Sequence, residues 1–174
     1  MAWLCADDPD TAQRHYDEAM MSWGQDEYQV QHYFGLMTQV QLALYTGRYE
    51  QAIRHVDSAW RPLRSSMVDQ VHFVRFDLIS LRTRAHLAAL IAGQDMPALH
   101  EALQSDLARL EASEAPWVCA QALAFRAAYD HVRGDGHQAI NGYTAAIEAL
   151  EQVELVAHSA AVKIRLGQCL QGDV

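Results

Sequence analysis

The chain has 174 residues, of which 51% are hydrophobic, and its 22 acidic and 13 basic residues give a formal net charge of −9. This composition excludes a disordered chain and indicates one domain, residues 1–174, with an ordered core. The negative charge argues against nucleic acid and membranes as partners of the surface as a whole. Alanine and leucine far outnumber isoleucine and threonine, which favours helices over strands.

Hydrophobic residues that recur every three or four positions predict eight helices. In chain order they cover roughly residues 9–22, 29–46, 49–63, 68–92, 96–112, 117–133, 136–151 and 155–170. No strand is predicted between them. The predicted fold class is therefore all-α.

The first ten residues, MAWLCADDPD, lack the basic segment of a secretory signal, and the uncharged stretch 28–47 contains glutamines that would be costly in lipid. The chain has three cysteines, Cys5, Cys119 and Cys169, which are far apart in sequence and form no CxxC pair. We therefore expect no membrane span, no disulfide framework and a cytoplasmic protein.

A spacing of small residues after a glycine recurs along the chain. Each glycine is expected in the left-handed conformation that ends a helix, and the small residues are expected where a second helix crosses the first. Measured between the first alanine of each copy, the copies lie 40, 46 and 41 residues apart, which suits repeats of two helices. The copies are Ala12, Tyr16 and Ala19 without a glycine; Gly47 with Ala52, Val56 and Ala59; Gly93 with Ala98, Ala102 and Ser105; and Gly134 with Ala139, Tyr143 and Ala146.

The stretch GRYEQA, from Gly47 to Ala52, resembles the tetratricopeptide repeat. The resemblance implies an α-α superhelix of about three and a half degenerate, tetratricopeptide-like helical hairpins. The other copies follow the pattern less closely, since Gly93 continues GQDMPA and Gly134 continues GDGHQA.

A resemblance to a particular family covers most of the chain. It is carried by Trp23, Gln31 with His32, LYTGRYEQA, Trp60, RTRAHLAA, LARLEASEAPW, RGD and IRLGQ. Together they resemble the helical-repeat region that follows the kinase domain in predicted eukaryotic-type serine/threonine kinases of myxobacteria and related bacteria. The resemblance implies a sensor or interaction region and no kinase activity, because GxGxxG, HRD and DFG are all missing.

The sequence predicts neither an enzyme nor a metal site. No two of the nine histidines lie three or four residues apart, which is the spacing that puts two ligands on one helix face. Cys119 and His131 lie twelve residues apart on one predicted helix, too far for a nucleophile and its base. We expect no cofactor and a non-catalytic module that binds a protein or peptide, with a small-molecule sensing domain of a signalling or transcriptional regulator as the alternative.

Arginines spaced seven apart on single helices, together with two histidines on the same face of one of these helices, are the candidate binding residues. If the first helix of each hairpin lines a groove, its basic lining would suit an acidic or phosphorylated peptide. The alternative is that these arginines have no binding role and are solvated or pair with Asp77, Asp130 and Glu154. The candidates are His72, Arg75, Arg82, His86, Arg126 and Arg133.

The helix predicted at 68–92 decides between two registers. Its Val74 and Phe73 lie on two apolar faces, and the remaining stripe of His72, Arg75, Ile79, Arg82 and His86 is expected to stay uncovered. The strict tetratricopeptide register instead offers a neutral groove lining of Gln41, Tyr45 and Thr83. Near the N-terminus, the aromatic residues Trp3, Trp23, Tyr28, Tyr33 and Phe34 predict self-association through apolar surface.

Overall fold

The computed structural model describes residues 2–23 and 28–172, and the chain divides into two compact units, residues 1–85 and 86–174. The described residues are all-helical and hold no strand, which confirms the predicted fold class. No helix among them is long and apolar enough to cross a membrane. The assignment of the chain to one domain stays a prediction.

The helices follow the predicted order closely. The first unit holds α1 (Ala2–Cys5), α2 (Pro9–Met21), α3 (Val30–Tyr45), α4 (Tyr49–Ser65) and a 3-10 helix (Met67–Gln70). Helix α5 (His72–Ile91) begins in the first unit and ends in the second. The second unit continues with α6 (Pro97–Glu111), α7 (Pro116–Val132), α8 (Gly136–Gln152) and α9 (Val156–Gln171). All eight predicted helices are confirmed, and α1 and the 3-10 helix are additional.

Local sequence explains where these helices begin and end. Asp8 precedes α2 and accepts a hydrogen bond from the Thr11 amide at 3.0 Å, and a proline occupies the first position of α2, α6 and α7. Glycines with φ between +70° and +86° follow α3, α5, α7 and α9. Three of these glycines were predicted as helix stops, and Gly172 after α9 is a fourth.

Each unit has its own apolar core. In the first, Ala52 and Val56 of α4 pack with Val40 of α3 and with Leu78 and Ala85 of α5. The packed position of Ala52 confirms the prediction that this small residue lies where two helices cross.

In the second unit, Ala120 and Ala127 of α7 pack with Ala139, Tyr143 and Ala146 of α8. The two alanines of α8 were predicted at a helix crossing, and the structure confirms their positions. The residues that line this part of the core are Ala120, Ala127, Ala139, Tyr143, Ala146, Leu150 and Val162.

The predicted register of α6 is wrong. Ala98 and Ser105 are exposed, whereas Leu99, Leu103 and Asp106 are buried. The turn after Gly93 is longer than its counterparts, because α6 begins four residues after the glycine and α4 and α8 begin two residues after theirs. The longer turn shifts the packed face of α6 by one residue.

The prediction of an uncovered stripe on α5 is also wrong for its second half. Ile79 and His86 are buried, and the Arg82 side chain is only 18% exposed. Thr83 of the alternative lining is buried too, and its hydroxyl donates to the Ile79 carbonyl at 2.8 Å. In contrast, Phe73, which was assigned to an apolar packing face, is exposed.

Candidate functional site

Three of the six basic candidates lie in the first unit, and only two of them are exposed. His72 and Arg75 lie on the surface of the first turn of α5. Arg82 instead lies over the Trp60 ring, with its guanidinium carbon 4.3 Å from the ring centroid, and approaches Asp57 at 4.0 Å. Arg82 is therefore part of the packing between α4 and α5.

The other three candidates lie in the second unit and also contact neighbouring side chains. His86 is buried, with Nδ1 4.0 Å from a carboxylate oxygen of buried Asp106. Arg126 donates two hydrogen bonds to Glu111, at 2.8 and 3.1 Å. Arg133 is exposed, and its guanidinium lies 5.8 Å from the Tyr129 ring centroid.

The pairing of Arg126 reduces its value as an anion site. Hydrogen bonding to the Glu111 carboxylate, to which Arg126 donates, is the main cause that raises the pKa of Arg126, ahead of the charges of Glu111 and Asp130. A second anion would therefore have to displace Glu111 or bind beside it. The alternative that the arginines pair with acidic neighbours thus describes Arg126 well, although Arg126 bonds Glu111 and not Asp130.

A different set of side chains forms the stronger candidate site, and it begins on α3. Phe34, Thr38, Gln41 and Tyr45 are spaced four, three and four residues apart, so they share one face of the helix. Phe34 is 57% exposed, Tyr45 is exposed, and the two polar residues between them are half-buried. This row contains Gln41 and Tyr45 of the alternative lining.

Helix α5 repeats the same spacing 39 residues later. Phe73, Asp77, Ser80 and Arg84 share one face, and again an exposed phenylalanine, here 55% exposed, begins the row. Arg84 is exposed at the other end of this row, and Asp77 is half-buried. All four residues belong to the first unit.

Two hydrogen bonds join α3 to the row on α5, and one of them comes from a row residue of α3. The Arg84 guanidinium donates to Oε1 of Gln41 at 3.0 Å, and the hydroxyl of buried Tyr33 donates to Oδ2 of Asp77 at 2.6 Å. The bonded residues lie about two turns apart on each helix, Tyr33 and Gln41 on α3 and Asp77 and Arg84 on α5, so the two helices run parallel here. We call this surface the aromatic-polar face; its residues are Phe34, Thr38, Gln41, Tyr45, Phe73, Asp77, Ser80 and Arg84.

Tyr33, which lies next to the aromatic-polar face, is held in its neutral form. Burial, and then the hydrogen bond to Asp77, raise the pKa of Tyr33 far above its ordinary value. Tyr33 therefore remains a donor that holds the Asp77 carboxylate in place. Tyr45 also bonds outside the row, donating to Asp7, and this bond raises the pKa of Tyr45.

Ser80 lies between Asp77 and Arg84 and is unusual for a helical serine. Its side chain is buried, and within the part of the chain that the structure describes its hydroxyl has no hydrogen-bond partner. Buried hydroxyls are normally paired, because an unpaired one costs about 1–3 kcal/mol. Because the hydroxyl is itself buried, it lies beneath the aromatic-polar face and is not offered to a partner at the surface.

The sequence contains a pattern that predicts this face, and it differs from the spacing of the basic residues. Phe34 and Phe73 each begin a polar row with the same four-three-four spacing, and the two rows are 39 residues apart, close to the repeat length. Arg84 and Ser80 were not predicted as site residues, because their neighbours Arg82 and Thr83 fitted the assumed registers.

The structure gives no support for metal chemistry in the residues that it describes. Within 2–23 and 28–172, no group of three or more histidine, cysteine, aspartate or glutamate side chains is placed to hold a metal ion. In the second unit, His100 forms hydrogen bonds with two side chains, Asp95 at 2.6 Å and Tyr129 at 2.8 Å.

Comparisons with known proteins leave the site to be interpreted on its own geometry. No protein-family model, no curated protein and no solved structure matches this chain.

Proposed function

We propose that the protein is a non-catalytic interaction module that binds an extended segment of a partner protein on the aromatic-polar face. The observation that carries the proposal is the repetition of one pattern on α3 and α5, an exposed phenylalanine followed by three polar or aromatic positions. Two neighbouring helices that present the same row form a continuous surface with a direction along the helices.

The chemistry of the aromatic-polar face fits a peptide with mixed character. Phe34 and Phe73 offer apolar area to two side chains of the partner, and exposed aromatic residues commonly anchor such contacts. Between them, Gln41, Asp77 and Arg84 offer donors and acceptors to peptide groups. Because Asp77 and Arg84 carry opposite charges, we expect this face to bind with little dependence on salt.

The repeat character of the chain supports the same proposal. We infer that the hairpins α3/α4, α5/α6 and α7/α8 are degenerate repeats of the tetratricopeptide type, since glycines in the left-handed conformation follow α3, α5 and α7. Repeats of this kind bind segments along their first helices. The resemblance to kinase-associated repeat regions motivates a role in cytoplasmic signalling.

Selection from a random peptide library tests the proposal. Phage-displayed peptides are selected for binding to the immobilised protein. The affinity of the selected peptides is then measured for the protein and for the double variant Phe34→Ser, Arg84→Gln. Removing the apolar anchor and the guanidinium should lower peptide affinity at least about tenfold, because both lie in the proposed contact. Circular dichroism checks that the double variant keeps its helices.

The matched control is Leu123→Ser, which removes an exposed apolar side chain from α7 in the other unit. Selected peptides should bind this control as tightly as the original protein. Peptides that bind the double variant unchanged, or a library that yields no binder, would contradict the proposal.

A further inference from the structure

Helix α9 exposes an apolar strip whose counterpart on α7 is covered. The two helices begin at residues 116 and 156, so equivalent positions are 40 residues apart. Ala120, Ala124 and Ala127 of α7 pack against α8. Their equivalents on α9 are Ala160, Ile164 and Gly167.

The strip on α9 is open in the described structure. Ile164 is 66% exposed and Val156 is 71% exposed, and Ala160 is exposed between them. The opposite side of α9 is buried, because Ser159 and Val162 pack within the second unit. We call Val156, Ala157, Ala160, Ala161, Ile164 and Gly167 the α9 strip.

Helix α2 carries part of the pattern by which α8 covers α7. Helix α8 covers α7 with Ala139, Tyr143 and Ala146, and α2 carries the same three residue types at the same spacing, Ala12, Tyr16 and Ala19. Ala12 is buried and Tyr16 is half-buried, so the accessible part of this pattern is the turn around Ala19.

Two exposed tryptophans lie within about one turn of Ala19 along α2, one before it and one after it. Trp23 follows α2 and is exposed, and exposed Trp3 of α1 stacks on His15 one turn before Ala19, with ring centroids 5.3 Å apart. We call Trp3, Ala19 and Trp23 the α2 patch. Together these groups offer apolar area on the same side of α2 as Ala19.

Charge favours contact between the α9 strip and the α2 patch. Helix α9 contains Lys163 and Arg165 and no acidic residue, whereas residues 2–23 contain five acidic residues and one basic residue. Lys163 already contacts Glu151 at 2.6 Å, so Arg165 is the charge we expect to contribute most. Two α9 strips facing each other would instead bring like charges together.

We propose that copies of this protein associate head to tail, the α9 strip of one copy packing against the α2 patch of the next. The contact is heterologous, because two different surfaces meet, so it leaves one free surface of each kind and permits chains longer than two. The proposal is independent of peptide binding on the aromatic-polar face, since neither surface includes its residues.

Two charge-introducing variants test the proposal by sedimentation velocity over a wide range of concentration. The wild-type protein should form larger species as its concentration rises, and salt should weaken them. Ile164→Glu alters the α9 strip and Ala19→Glu alters the α2 patch. Each variant alone should associate at least about tenfold more weakly than the wild-type protein, because a buried charge replaces apolar contact.

Mixing the two variants distinguishes this geometry from others. The Ile164→Glu copy keeps its α2 patch and the Ala19→Glu copy keeps its α9 strip, so an equimolar mixture should form a dimer that grows no further. Ala160→Glu serves as a second variant of the strip, and Leu123→Glu, on an exposed position of α7, should associate like the wild-type protein. Circular dichroism verifies that each variant is helical.

Three results would overturn the proposal. The wild-type protein could stay monomeric at every concentration, or the mixture of variants could stay monomeric. Undiminished association of Ala19→Glu would show that the α9 strip packs on another surface, a second α9 strip included.

Discussion

Gly142 of α8 lies so close to Ala127 of α7 that a β-carbon on the glycine would be 2.9 Å from the β-carbon of the alanine. Real β-carbons do not approach other atoms this closely, so the two helices would have to move apart here to accept a larger residue at position 142. The close contact gives a physical reason for a glycine within this helix, where glycine costs about 1 kcal/mol relative to alanine.

Gly142→Ala should therefore destabilise the protein despite the better helix propensity of alanine. Overpacking typically costs about 1–3 kcal/mol and the propensity gain returns about 1 kcal/mol, so we expect a net loss of up to about 2 kcal/mol. Urea unfolding followed by circular dichroism measures the difference.

Gly167→Ala is the matched control for this crossing. Gly167 also lies within a helix, α9, but a β-carbon there would meet nothing within 4 Å. This substitution should stabilise the protein by up to about 1 kcal/mol. Equal effects of the two substitutions would show that the contact with Ala127 does not matter.

Local sequence was sufficient to predict the helices, because their signals are themselves local. Prolines at 97 and 116 and the glycines at 47, 93 and 134 mark helix ends through backbone geometry that no tertiary contact has to supply. The small residues of α4 and α8 were assigned to the correct packing faces for the same reason, since their turns have equal length.

Contacts between helices could not be predicted in the same way. A turn two residues longer moved the packed face of α6 from Ala98 to Leu99. Pro97 indicated the later helix start, but the glycine-to-alanine spacing alone was used to assign the packed face. The prediction that Arg82 is exposed was wrong because the long apolar part of an arginine side chain can be buried while its guanidinium contacts another group. In Arg82 the guanidinium lies over the Trp60 ring. The aromatic-polar face was not predicted because Phe73 was assigned to a packing face and Phe34 to a surface for self-association.

Arg82 and Arg75 should differ in their contribution to stability, although both were candidate binding residues. Arg82→Gln removes a guanidinium that lies over Trp60 and should cost about 0.5–2 kcal/mol. Arg75→Gln alters an exposed side chain and should change the free energy of unfolding by no more than about 0.5 kcal/mol. Urea unfolding of the two single variants measures both, and a larger loss at Arg75 would contradict this assignment.

The ion pair between Arg126 and Glu111 should contribute little. It has good two-bond geometry, but both side chains are about one-third or more exposed, at 34% and 41%, and exposed pairs contribute about 0–1 kcal/mol. A double-mutant cycle with Arg126→Gln and Glu111→Gln should give a coupling energy below about 1 kcal/mol that falls as salt is added. A coupling energy that is large and independent of salt would indicate that water is excluded from the pair.

Stability should fall at alkaline pH because Tyr143 is buried in its neutral form. Burial raises the pKa of Tyr143 to about 12, with Arg165 opposing the shift. In the unfolded chain the phenol ionises near its ordinary pKa of about 10, so its contribution is complete below about pH 10 and is lost as pH rises to about 12. The change cannot exceed about 3 kcal/mol, since each pKa unit corresponds to about 1.4 kcal/mol. Urea unfolding at several pH values should show a smaller alkaline loss for Tyr143→Phe than for the wild-type protein, and identical pH profiles would refute this account of Tyr143.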